Sequence, residues 1–283
     1  MSTPPYLDFF DPLDYLAEFR AFLPAVAYSE RNPLNTEMFF LWCMIRSQKP
    51  ALFIESGTFR GYSAHFICAA LQRNAADNAP GSAAAGEFIT FGFNLEDCLP
   101  AARARLVAYP FARVVESDSR LGVRAFQGEK RKTAFFIDGP KGRNMPALFF
   151  AIQKNFANVA FVAVHDCQPE STSGNRTYFE QFYNVDSRIF YCASPFQEQF
   201  AELDHPLIGR PEMLGWRPYW EAGAPTPSYG TQTGYAIPRP PAQNPLANLD
   251  RRLMRWFKLN LSLEIRNRAR RLLNRSARDR PHS

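Results

Sequence analysis

No apolar run in this sequence approaches the roughly 18 residues that a membrane-spanning helix needs. The opening Met1-Ser2-Thr3-Pro4-Pro5 lacks basic charge, and Asp8, Asp11 and Asp14 interrupt the residues after it, so no secretory signal is expected. The five cysteines (Cys43, Cys68, Cys98, Cys167, Cys192) form no CxxC or CxH pair, which predicts buried, reduced thiols in a cytosolic protein. Histidine is scarce, and His65, His205 and His282 have no partners in sequence. There is no internal repeat at a fixed period, and no GxGxxG turn of the dinucleotide-binding type. These absences argue against an integral membrane protein, an exported protein and a fibrous repeat.

What is present suits one large α/β domain with appendages: 283 residues, 46% apolar and 21% charged. The net charge of +6 is unevenly spread. Residues 251–283 hold 11 basic against two acidic residues, net +9, whereas the other 250 hold 22 against 25, net −3. The body and the tail therefore call for separate readings.

Between residues 35 and 192, short apolar runs alternate with helical patterns. Helices are predicted over 35–48, with Asn35 or Thr36 as cap, over 63–73, from near Pro100, and over 145–155, which Pro146 opens. Strands are predicted at 51–54, 88–93, 113–116, 133–137 and 161–164, continuously apolar rather than alternating. That texture predicts a doubly wound, mostly parallel sheet covered on both faces. Nine prolines between Pro206 and Pro245 then exclude regular helix, although 233–237 reads as a last strand. The expected organisation is an N-terminal helical segment (1–34), an α/β domain with a Pro/aromatic-rich extension (35–245) and a basic amphipathic tail (246–283).

The first strand ends in Glu55-Ser56-Gly57-Thr58-Phe59-Arg60-Gly61-Tyr62-Ser63. A carboxylate, a glycine turn and an opening helix build a crevice at the carboxyl edge of the sheet, where such folds bind ligands. An ordinary βα turn that uses its glycines for geometry is the plain alternative. The motif Glu55-x-Gly57-Thr58-x-x-Gly61-x-Ser63 resembles motif I of class I S-adenosylmethionine (SAM)-dependent methyltransferases, in the cephalosporin-hydroxylase-like and small-molecule O-methyltransferase branch. The resemblance covers about residues 35–192 and implies a Rossmann-like methyltransferase fold. It places Glu55, Gly57, Thr58 and Gly61 at the cofactor's methionine end, with Ser63 capping the helix beside them.

A second segment, Phe135-Phe136-Ile137-Asp138-Gly139-Pro140-Lys141, ends a strand with a carboxylate and an amine, and Val164-His165-Asp166 ends the next. Neighbouring strands lie about 4.8 Å apart, so these ends can converge on one divalent ion. Metal-dependent O-methyltransferases resemble this arrangement. The resemblance assigns Asp138 and Asp166 as ligands of Mg²⁺ or another divalent cation. His165 then either replaces an oxygen ligand, favouring a transition metal, or stays outside the coordination sphere as a hydrogen-bonded structural residue. Lys141 becomes the base that deprotonates an acceptor hydroxyl, given a lowered pKa. A capping Asp and a solvated Lys are the plain alternatives.

One departure stands out. The ribose-binding carboxylate of the resembled family falls on Gly92, leaving Asn94 or Glu96 to replace it. Asp118 or Ser119 would meet the adenine, and Asp118 serves equally well as a helix cap. The aromatics from Trp216 to Tyr235 either wall an acceptor pocket or pack a core. In the tail, Met254, Phe257, Leu261, Ile265 and Leu272 recur at helical spacing among arginines, which predicts a helix on an anionic membrane surface through residues 251–275. A protein or nucleic-acid partner and a solvated helix are the alternatives, and the acidic body disfavours nucleic acid. The expected activity is methyl transfer to a hydroxyl of a small molecule, sugar, or glycan or lipid precursor, by a cytoplasmic protein peripheral to the inner face of the membrane. A catalytically silent scaffold docking through its tail and a metal-dependent hydroxylase-like enzyme are the other readings.

Overall fold

A computed structural model describes residues 4–26, 33–77, 86–168, 174–184, 186–192, 194–204 and 232–238. Residues 216–231 of the aromatic segment, the tail at 251–275, His205 and His282 lie outside the described residues.

Along β1 (Leu52–Ser56) successive side chains fall on opposite faces. Phe53 joins Phe88, Phe136 and Phe161 on one side, while Leu52 and Ile54 join Ile89, Phe135 and Val162 on the other. Helices cover both clusters. On the first face lie α2 (Asn35–Gln48) and α3 (Tyr62–Ala76), with α1 (Leu13–Phe22) packed outside them through the fully buried Phe19. On the second lie α6 (Met145–Asn155) and α7 (Asn175–Tyr183). Burial on both faces is why the strands read as continuous apolar runs.

The strands comprise β1, β2 (Glu87–Gly92), β3 (Ala112–Glu116), β4 (Thr133–Ile137), β5 (Val159–Val164), β6 (Ser187–Cys192) and β7 (Thr233–Pro238). Among the described residues they form one sheet in the order β3-β2-β1-β4-β5-β7-β6. β1 to β5 pair in parallel, and β7 is antiparallel to both β5 and β6. This is the doubly wound, Rossmann-like fold expected. Its order reverses between β1 and β4, so their carboxyl ends flank the topological switch point.

The predicted bounds of α2, β4 and α6 coincide with the observed ones, and the last strand forms at 233–238. The cap of α2 is corrected. Leu34 occupies the N-cap, and its N–H donates to the Glu37 carboxylate at 3.2 Å, while Asn35 and Thr36 already lie inside the helix. All five cysteines are buried and free. No helix among the described residues is long and apolar enough to cross a membrane.

Candidate active site

The β1–α3 turn is held from below. Glu55 is fully buried, accepting hydrogen bonds from Ser63 Oγ and, at 2.6 Å, from Thr90 Oγ1, which in turn lies 2.6 Å from Thr58 Oγ1. Burial pushes the Glu55 carboxyl up to about 8, against the two hydroxyl donors, with Asp138 adding repulsion. Glu55, placed at the cofactor by resemblance, stands in the structure as a fully buried internal strut of the turn. Ser63 is corrected as well. Its hydroxyl serves Glu55, and the N-cap of α3 is Gly61, in a left-handed conformation at φ +74°.

The glycines serve close packing. A Cβ on Gly57 (φ +105°) would come within 3.0 Å of the Asp138–Gly139 backbone, and one on Gly61 within 3.1 Å of Ala102. The N–H groups of Gly57 and Thr58 both donate to the Phe91 carbonyl, at 2.9 and 3.3 Å. They pin the turn to β2 rather than present donors to a ligand. The Gly57 approach seats the β1 turn directly against the segment that carries Asp138.

At the ends of β4 and β5 the predicted cluster assembles. His165 Nδ1 lies 3.0 Å from Asp138 Oδ1 and 3.4 Å from Asp166 Oδ1. Lys141 Nζ lies 3.1 Å from Asp138 Oδ1 and pairs with Asp166 Oδ2. Asp166 holds a left-handed backbone at φ +57°, a region Asp enters more readily than most residues. On the far side of the imidazole, Nε2 lies 3.4 Å from Oε2 of Glu37, whose other oxygen accepts from Thr233 Oγ1 at 2.8 Å. Asn175 ties the two strand ends together, donating to the His165 carbonyl at 3.1 Å and accepting from Gly142 N–H at 2.8 Å.

Burial opposes charge on His165, but the carboxylates of Asp138 and Glu37 raise it well above its usual value. Burial likewise opposes ionisation of Asp138 and Glu37, and the neighbouring cationic groups outweigh it and lower both. Burial opposes the Lys141 ammonium, yet Asp138 and Asp166 raise its pKa. This corrects the expectation of a lowered pKa for Lys141. With two carboxylates facing it, the protonated form of Lys141 is favoured.

Asp138, His165 and Asp166 offer one ligand atom each, all within 4.8 Å of one another, the donor chemistry that a divalent ion takes. Three donors on one ion, with bonds of about 2.1 Å, sit roughly 3.0 to 3.4 Å apart at octahedral to tetrahedral angles. The two separations from Nδ1 span that range, and the shorter is equally that of the hydrogen bond between Nδ1 and Asp138 Oδ1.

The ribose and adenine positions are less complete. A Cβ on Gly92 would meet Thr58 Oγ1 at 2.8 Å, so the turn's own side chain fills the space beside the end of β2. Asn94, exposed, accepts from Leu99 N–H at 3.2 Å, and Glu96 stands in a left-handed conformation on the same turn. Asp118 caps the short helix α5 (Ser119–Gly122), accepting from Arg120 N–H at 2.8 Å and pairing with that guanidinium, which lowers its pKa. Ser119 is buried and accepts from Ser56 Oγ at 2.6 Å. Phe93, directly after Gly92, is 59% exposed.

Sequence reasoning missed Glu37 and Asn175. Glu37 lies 128 positions from His165 and, on an otherwise apolar helix, reads as a first-turn carboxylate, so only the unusual burial of a charge on α2 would have signalled it.

No protein-family model matches the chain, and no curated protein does. Among solved structures it is similar to an O-methyltransferase from Bacillus cereus in complex with SAH, at 16% identity over 79% of this chain and 90% of that one, TM-score 0.48. It is also similar to a putative O-methyltransferase from Klebsiella pneumoniae, at 14% over 85% and 92%, TM-score 0.49. A third is the O-methyltransferase TomG from Streptomyces achromogenes in complex with SAM, at 16% over 81% and 90%, TM-score 0.47. At these values the likeness concerns general architecture and does not bear on ligand or reaction.

Proposed function

We propose that the chain is a class I SAM-dependent methyltransferase acting on a hydroxyl of a small molecule, sugar, or glycan or lipid precursor. The observation that carries the reading is the seating of the Gly57 turn against Asp138 at the switch point. It brings the turn that resembles motif I beside the segment that carries Asp138 and its partner Lys141, which supports the reading. SAM, when bound, supplies the electrophilic methyl group for an in-line transfer. Around it the chain supplies the carboxylates of Asp138 and Asp166, which favour a sulfonium, and the exposed Phe93 ring, which a flat base can cover. A divalent ion on Asp138, His165 and Asp166 would lower the pKa of an acceptor hydroxyl.

Lys141 contributes as a cation rather than as a resting base. As an ammonium it stabilises negative charge developing on the acceptor oxygen. To act as the base it must first release its own proton to solvent, which other positive charge compensating the two carboxylates would favour, and the neutral amine then takes up the hydroxyl proton. Calorimetric titration of the full chain with SAM and S-adenosylhomocysteine tests the reading: micromolar binding supports it, and no binding of either at millimolar concentration rejects it.

The second reading, a silent binding protein of the same fold, is favoured by one observation. The end of β2 offers no carboxylate, and Thr58 occupies its place. That reading expects failure in the same titration.

A further inference from the structure

Metal-ligating histidines characteristically donate their second ring N–H to a carboxylate, which fixes the tautomer and the ring plane. His165 has this arrangement. One ring nitrogen faces the carboxylate oxygens of Asp138 and Asp166, at 3.0 and 3.4 Å, and the other faces Glu37 Oε2 at 3.4 Å. Glu37 is itself held from three sides, by Leu34 N–H at 3.2 Å, by Thr233 Oγ1 at 2.8 Å and by the imidazole. It reaches the site from α2, and Thr233 from β7, so two elements outside the β4 and β5 ends fix the orientation of the ring.

Lys141 Nζ shares this cluster, lying 3.1 Å from the same Oδ1 of Asp138 and pairing with Oδ2 of Asp166, so an ion bound there takes the place of its ammonium, while Oδ1 of Asp166 stays turned towards Nδ1. The converging atoms are thus one imidazole nitrogen and two carboxylate oxygens. Magnesium prefers oxygen ligands, whereas imidazole suits the later first-row ions, whose affinity for nitrogen donors rises along the series.

We infer that Glu37 is the positioning residue that holds His165 as an Nδ1 ligand, making this a site for a divalent transition ion such as Co²⁺ or Zn²⁺ in preference to Mg²⁺. The inference names the ion class at the site of the proposed methyltransferase and rests on that reading for the purpose the ion serves. Neither Glu37 nor His165 needs to touch the acceptor for it to hold.

The test uses the metal-stripped full chain, titrated with Co²⁺ and with Mg²⁺ and followed by the visible d–d absorption of cobalt and by calorimetry. Cobalt should bind at least about 100-fold more tightly than magnesium, with a band pattern showing nitrogen ligation. Glu37→Gln should weaken cobalt about 10- to 100-fold and leave the weak magnesium affinity within about twofold. His165→Asn, which restores an oxygen donor of similar size, should abolish the cobalt preference, and it guards against loss of fold in the Glu37 variant. Circular dichroism and a melting curve establish that each variant is folded. Equal affinities for the two ions, no binding of either, or wild-type cobalt affinity in folded Glu37→Gln would each overturn the inference. A parallel S-adenosylhomocysteine titration separates the two ideas. Nucleoside binding without cobalt preference leaves the methyltransferase reading standing and sinks this one, and cobalt preference without nucleoside binding does the reverse.

Discussion

Glu55 shows how a carboxylate at a strand end can be drawn into the interior. Its carboxyl is raised from an ordinary 4.5 to about 8 by burial, so the folded protein binds one more proton than the unfolded chain throughout that window. Stability therefore falls as pH rises from about 4.5 to about 8, by up to the order of 4 kcal/mol. Glu55→Gln should flatten this slope and leave the variant more stable than wild type above pH 8. Urea denaturation midpoints measured from pH 5 to 9 check it, and parallel slopes for the two proteins would refute it. Gly92 allows a second test at the same scale. Gly92→Ala alone should cost about 1–3 kcal/mol through the crowding of Thr58. Gly92→Asp combined with Thr58→Gly, which removes both the Oγ1 and the Cβ contacts, should bind SAM more tightly than Thr58→Gly alone; equal affinities by calorimetry would show that the end of β2 does not meet the ribose.

At the scale of elements, α1 is more than an N-terminal appendage. Its Phe19 is fully buried against Phe39, Trp42 and Phe66, and Glu18 accepts from Trp42 Nε1 and from both Nε and Nη2 of Arg46. Arg46, buried on α2, is further paired with Asn74 and Asp77 of the α3 end. Phe19→Ala should cost about 3–5 kcal/mol. Glu18→Ala, which leaves a buried guanidinium short of a partner, should cost about 1–3 kcal/mol. Both are read from chemical denaturation. Because α1 clamps α2, and α2 carries Glu37, each loss should also loosen the setting of His165. The elements legible in the sequence were those whose pattern is local. The helix at 35–48 follows from its apolar length and the Pro beyond it, and the strand at 133–137 from five buried residues. By contrast β6 is an edge strand with the exposed Arg188 breaking its run, and the cap at Leu34 depends on a side chain three residues on. The strand-end cluster was legible because parallel strands deliver their ends to one edge. Glu37 was not, since its meaning comes from a contact across the fold.

For the whole molecule, the division of charge predicts a division of labour. The body at −3 carries Asp138 and Asp166 just beyond strand ends, while residues 251–283 carry +9 with Trp256, Phe257 and Leu261 interleaved. A basic residue near an anionic bilayer contributes about 1 kcal/mol, and the attraction decays within a Debye length of about 8 Å at physiological ionic strength. The full chain should therefore float with vesicles containing phosphatidylserine at low salt, and its bound fraction should fall several-fold at 0.5 M salt. It should not float with neutral phosphatidylcholine vesicles. A chain ending at residue 250 should remain in solution in every case while keeping the SAM titration of the full chain unchanged. Equal flotation of the two forms would reject the anchor. Flotation that persists at 0.5 M salt would replace electrostatic attraction by apolar insertion of Trp256 and its neighbours, and retention by single-stranded nucleic acid in place of vesicles would reassign the tail's partner.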